Sequence, residues 1–82
     1  MQNESFYDVA IWRYWPSSDL PYVAFLNADV VSSALVAALH VMAANKLKHV
    51  ARVAVKCPDR SYQRWEHGLT LYQQREEIPA YD

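Results

Sequence analysis

Between Asn27 and Lys46 the chain reads Asn-Ala-Asp-Val-Val-Ser-Ser-Ala-Leu-Val-Ala-Ala-Leu-His-Val-Met-Ala-Ala-Asn-Lys, and from Val30 to Ala44 only Ser32, Ser33 and His40 are polar. This run predicts one long apolar helix over 27–46. Asn27, or else Asp29, is placed to cap its first N–H groups, and Asp29 suits the positive end of the helix dipole. Lys46 and Lys48 suit the negative end, and Asn45 tolerates a left-handed closing conformation. Val31, Leu35, Ala38, Leu39 and Met42 form the best core-facing stripe. A helix lying on a sheet needs only one such stripe. The remaining side, with Ser33, Val36, Ala37, His40 and Ala44, is small enough for a second helix to lie close. Those five are the candidate self-association residues. An 82-residue chain has little other material to cover them, so the sequence predicts a partner: a second copy of the chain or another protein.

The length corresponds to one domain over 1–82, close to the lower limit for a self-sufficient core. Val30 to Asn45 is uncharged but shorter than the roughly 20 residues that span a bilayer. With a mean hydropathy of −0.21, no membrane span is expected. A single cysteine allows no internal disulfide, and the first residues lack the basic and apolar regions of a signal peptide. A reducing, cytoplasmic setting is the expectation.

The net charge of −1 conceals a polarised pattern. Glu4, Asp8, Asp19 and Asp29 outnumber Arg13 in the first third. Lys46, Lys48, Arg52, Lys56, Arg60 and Arg64 outnumber Asp59 in the centre. Glu66, Glu76, Glu77 and Asp82 outnumber Arg75 at the end. A basic centre between acidic ends is either neutralised within the fold or shown to a partner.

Ser5 to Trp15 is rich in aromatic and β-branched residues and reads as a strand. Alternation puts Tyr7, Val9, Ile11, Arg13 and Trp15 on one face and Phe6, Asp8, Ala10, Trp12 and Tyr14 on the other. Residues 16–21 form a loop, and Tyr22 to Leu26 suits a second short strand hairpinned to the first. After the helix, His49 to Cys57 alternates as one strand. Lys48, Val50, Arg52, Ala54 and Lys56 share one of its faces, while His49, Ala51, Val53, Val55 and Cys57 lie under the helix. Pro58 to Ser61 turns the chain into a strand over Tyr62 to Glu66, with a short helix over 60–67 as the rival reading. Gly68 marks a bend before a further strand from Leu69, and 75–82 is a polar tail. The expected fold is α+β: a small antiparallel sheet, β-β-α-β-β or β-α-β-β, with the helix packed on one face. The layout resembles that of many small phage and mobile-element proteins, some anti-CRISPR inhibitors among them. That likeness is one of architecture and not of any residue motif.

No catalytic or cofactor motif is present, and with a single glycine there is no phosphate-cradling loop. Cys57, His49 and His67 have no metal-ligand spacing, since His49 and Cys57 stand roughly 26 Å apart on an extended strand. No cofactor, no metal and no enzymatic activity are expected. The sharper signal is a basic and aromatic sheet face. Lys48, Arg52 and Lys56 would form a row, with Arg64 and Tyr62 beside them. Arg13, Trp15, Arg64 and Trp65 are the aromatic and arginine anchors typical of interaction hot spots, and Tyr81 is a peripheral contact. The leading expectation is a non-enzymatic, homodimeric interaction module that acts as adapter or inhibitor by occupying a surface of a larger partner. The alternative is single-stranded RNA or DNA binding, with cations tracking phosphates and aromatics stacking on bases.

Overall fold

The computed structural model describes residues 5–71. The chain runs β1 (Phe6–Trp12), β2 (Tyr22–Asn27), α1 (Ala34–Ala44), β3 (His49–Val50), β4 (Arg52–Lys56), β5 (Tyr62–Trp65) and β6 (Leu69–Thr70). Four strands form an antiparallel sheet in the order β2-β1-β4-β5, and β3 pairs with β6 in a separate two-residue ladder. The helix lies across the two central strands, β1 and β4. Val9 and Ile11 of β1 and Val53 and Val55 of β4 point up at it and are fully buried. Ala34, Ala37, Ala38, Val41 and Met42 point down, and Val31, Leu47, Val50 and Leu69 close the ends of the core.

The helix is shorter than the apolar run predicts, eleven residues from Ala34 to Ala44. Neither Asn27 nor Asp29 caps it. Asn27 is the last residue of β2, opposite Phe6, and its side-chain oxygen accepts from the Asp29 N–H at 2.7 Å. Pairing to β1 holds residues 22–27 extended, and the local Asn bond then starts a turn that competes with helix. Ser33 is the N-cap instead, its hydroxyl accepting from the Val36 N–H at 3.2 Å. At the other end the Leu47 N–H reaches the Met42 carbonyl at 2.8 Å and the Lys46 N–H that of Ala43 at 3.1 Å. This is a Schellman closure, with Lys46 at a φ of +59° where glycine is usual and Leu47 returned to the core.

The buried stripe is also rotated from the predicted one. Ala38 and Met42 are buried as expected, but Leu35 and Leu39 are only half-buried at the flank. Alanines at 34, 37 and 38 let the helix backbone settle close to the β-branched residues of the sheet, which draws the alanine side inward. Ala37 and Ser33 therefore do not belong to an outward seam: Ala37 is fully buried and Ser33 caps the helix. Val36, His40 and Ala44 do face outward.

The predicted strand over 49–57 is broken at Ala51, whose N–H turns to the carbonyls of Trp12 and Arg13 at 3.0 and 3.2 Å. The break flips the alternation. Val50 is buried against β6 instead of sharing a face with Arg52, and Lys48 lies before β3, off the four-stranded sheet. Residues 62–65 are a strand, not a helix. The β4–β5 hairpin closes through Cys57 N–H to Ser61 O and Arg60 N–H to Cys57 O, both at 2.8 Å, with Arg60 at a φ of +75°. Asp59 accepts from the Ser61 hydroxyl at 2.6 Å and its N–H at 3.0 Å, which holds its carboxyl below the usual value. The expected tail, residues 75–82 with Tyr81, lies outside the described residues.

Gly68 carries a φ of +100°, and a Cβ there would sit 3.2 Å from the Val50 carbonyl and 3.4 Å from the His49 ring. Gly68→Ala should cost about 1–2 kcal/mol through the left-handed backbone and the crowded β3–β6 ladder. Urea denaturation checks this, and an unchanged midpoint would show that the bend tolerates a side chain.

Candidate functional site: the open face of the sheet

Among the described residues, the sheet has a helix on one side only, and nothing is layered on the other side. Strand register lays that open face out in rows. Phe25, Asp8, Lys56 and Tyr62 stand side by side from β2 to β5. The next row is Val23, Ala10, Ala54 and Arg64, and beyond it Trp12 lies opposite Arg52. Phe6 completes the apolar end, opposite Asn27. Exposure here is unusual for such residue types: Phe25 is 66% exposed, Val23 59%, Tyr62 50% and Phe6 38%. Phe6, Val23 and Phe25 cluster at the β2 side, and Tyr62 stands across Asp8 and Lys56 from them; clustered apolar exposure marks an interaction surface more often than scattered single residues do.

The two ends of the face differ in character. At one end Arg52 is clamped. Its guanidinium carbon lies 4.8 Å from the centre of the Trp12 ring and 4.5 Å from that of Trp15, and its Nε donates to Glu66 Oε1 at 3.0 Å. The two indoles meet edge to face, with centroids 5.5 Å apart. Trp15 reaches this cluster from the β1–β2 loop, in which the Trp15–Pro16 peptide is cis. Each cation–π contact contributes about 0.5–1 kcal/mol, so the cluster ties the loop to β4 and presents its half-exposed indole edge. At the other end Arg64 lies 4.8 Å over the Tyr62 ring, and Lys56 stands between Asp8 and Tyr62.

The structure thus gathers Arg52, Lys56, Arg64 and Trp15 at one surface, but not the rest of the predicted set. Trp65 lies opposite Val53, so it faces the helix side and packs half-buried against the core. Arg13 stacks near Tyr14 at 5.3 Å. With Lys46, Lys48 and His49 it lines a separate shallow concavity at the helix C-terminus. The row of Lys48, Arg52 and Lys56 does not exist, because the break at Ala51 removes Lys48. Phe6, Val23 and Phe25 are the site residues that the sequence reading missed. Their signal was present, since β2 is apolar on both its faces.

No group of three or more His, Cys, Asp or Glu among the described residues lies close enough to hold a metal ion. His49 Nδ1 is engaged with Thr70 Oγ1 at 2.6 Å, and Cys57 is half-buried in the β4–β5 hairpin. No helix among the described residues is long and apolar enough to cross a membrane. No protein-family model, curated protein or solved structure matches the chain.

Proposed function

We propose that this protein is a non-enzymatic interaction module that binds a larger protein through the open face of its sheet. The observation that carries this is the exposure of Phe6, Val23, Phe25 and Tyr62 on a face lined by Lys56 and Arg64. Aromatic and aliphatic anchors supply buried area on binding, and the flanking cations supply orientation and rate. The sequence reading also drew its partner-binding candidates from the basic and aromatic sheet face, Arg52, Lys56 and Arg64 among them, and gave the helix to self-association.

The nucleic-acid alternative needs cations that are available to phosphates. Arg52 is committed to two indoles and Glu66, whereas Lys56 is exposed, opposite Asp8 in the ladder without an ion pair to it. Arg64 lies over Tyr62. Tyr62 with two neighbouring cations, Lys56 and Arg64, is a short platform for a single-strand groove, which tracks several nucleotides.

Affinity capture from the lysate of the source cells tests the reading, using wild type and the Phe6→Asp/Tyr62→Asp variant side by side. Both positions are exposed, so the variant should keep the wild-type circular dichroism while losing the captured protein. Capture of the same protein by both chains would remove the sheet face from consideration. Tight binding of a labelled single-stranded oligonucleotide, weakening steeply with salt, would put the alternative in its place.

A further inference from the structure

The strand β2 has the composition of an interior strand and the surroundings of an edge. Tyr22-Val23-Ala24-Phe25-Leu26 is wholly apolar, yet none of these residues is in the buried class. The helix lies over β1 and β4, and among the described residues β1 is the one strand paired with β2. Edge strands are ordinarily guarded by a charge, a proline or a bulge. From Tyr22 to Leu26 there is none of these, and the register to β1 runs without interruption. The opposite edge, β5, is polar by contrast, with Gln63 and Arg64 in four residues.

The direction of the free peptide groups follows from one bond. The Ala28 N–H donates to the Ser5 carbonyl at 2.9 Å, so by the two-residue period Leu26, Ala24 and Tyr22 turn their peptide groups toward β1. Val23 and Phe25 turn theirs outward.

We propose that β2 is the self-association edge, pairing antiparallel with β2 of a second copy about a two-fold axis at Ala24 to make one continuous eight-stranded sheet. A two-fold perpendicular to the sheet keeps each face on its own side, so only residues of the same parity can meet. Centring on Ala24 sets Val23 opposite Phe25 of the second copy and Tyr22 opposite Leu26. All five residues then meet apolar partners, and no charge is brought against another. Shifting the axis to Phe25 would set Val23 against Asn27 and lose Tyr22. The outward N–H and C=O groups of Val23 and Phe25 are then satisfied by those of Phe25 and Val23 in the second copy. The strand is thus complementary to itself, which is why a second copy is the occupant. This assembly uses the edge and does not depend on what binds the open face, which it would extend across both copies.

The test is the native mass of the full chain by size-exclusion chromatography with light scattering at high micromolar concentration, which needs no partner protein. Wild type should have twice the 9.5 kDa of one chain. Val23→Pro removes one outward N–H while leaving the ladder to β1, and should give the single-chain mass with unchanged circular dichroism. In a Cys57→Ser background, Ala24→Cys should form a disulfide between copies on mild oxidation, because a non-hydrogen-bonded antiparallel pair has Cα atoms about 4.5 Å apart. A wild-type mass of one chain, a folded Val23→Pro variant that stays dimeric, or an Ala24→Cys chain that does not cross-link would each overturn the proposal.

Discussion

Replacing Ala37 with glutamate should unfold this domain and not merely separate two copies of it. The side chain of Ala37 is fully buried between the helix and the sheet. A glutamate there adds volume to a close-packed contact and buries a carboxylate with no cation beside it. Overpacking alone costs about 1–3 kcal/mol, and an unpaired buried charge adds several more or forces the carboxyl to protonate. A chain of this size has roughly 4–12 kcal/mol of stability in total by the usual per-residue scaling. The expected result is loss of the near-ultraviolet circular dichroism of the tryptophans and no cooperative urea transition. His40→Glu, one turn away on the exposed side, should shift stability by no more than about 0.5 kcal/mol. A folded Ala37→Glu chain with the wild-type midpoint would show that this face of the helix is open to water.

Ile11→Ala should be the most damaging truncation in the sheet. Ile11 lies at 0% exposure in β1, paired with Tyr22 on one side and Val53 on the other. Removing its branched chain leaves a cavity under the helix that neighbours held in two ladders cannot fill. The expected cost is about 2–5 kcal/mol, or a melting temperature lower by about 10 °C or more. Val30→Ala provides the contrast, since Val30 is 70% exposed and its truncation should be nearly silent. Equal effects of the two substitutions would mean that β1 does not carry the core.

Much of the local structure was legible from residue order. The alternation in Phe6 to Trp12 separates Val9 and Ile11 from Asp8 and Trp12, and the structure uses that division. The strands at Tyr22 and Tyr62 were readable only as alternatives, the first against a loop and the second against a short helix over 60–67. The start of the helix was not. Apolar content continues unchanged from Val30 into Ala34, and composition cannot say where pairing to β1 and the Asn27 turn release the chain. The row of Lys48, Arg52 and Lys56 failed for a related reason. Alternation assumes an unbroken strand, whereas Ala51 bonds to the end of β1, a partner nearly forty residues earlier in sequence.

The candidate site shows the same division. Sequence alone identified the aromatic and basic residues and placed Arg52, Lys56, Arg64 and Tyr62 on one surface. Strand periodicity is a local property, so it needs no knowledge of the fold. The sequence placed Val53 and Val55 under the helix, as the structure does; that Trp65 turns inward and that, among the described residues, β2 stands uncovered at an edge were decided only in the tertiary structure. In β5 no alternation of apolar and polar residues marks a face, so the side that Trp65 takes is set by the register to β4. A strand becomes edge or interior only when the order β2-β1-β4-β5 is set by contacts between distant residues.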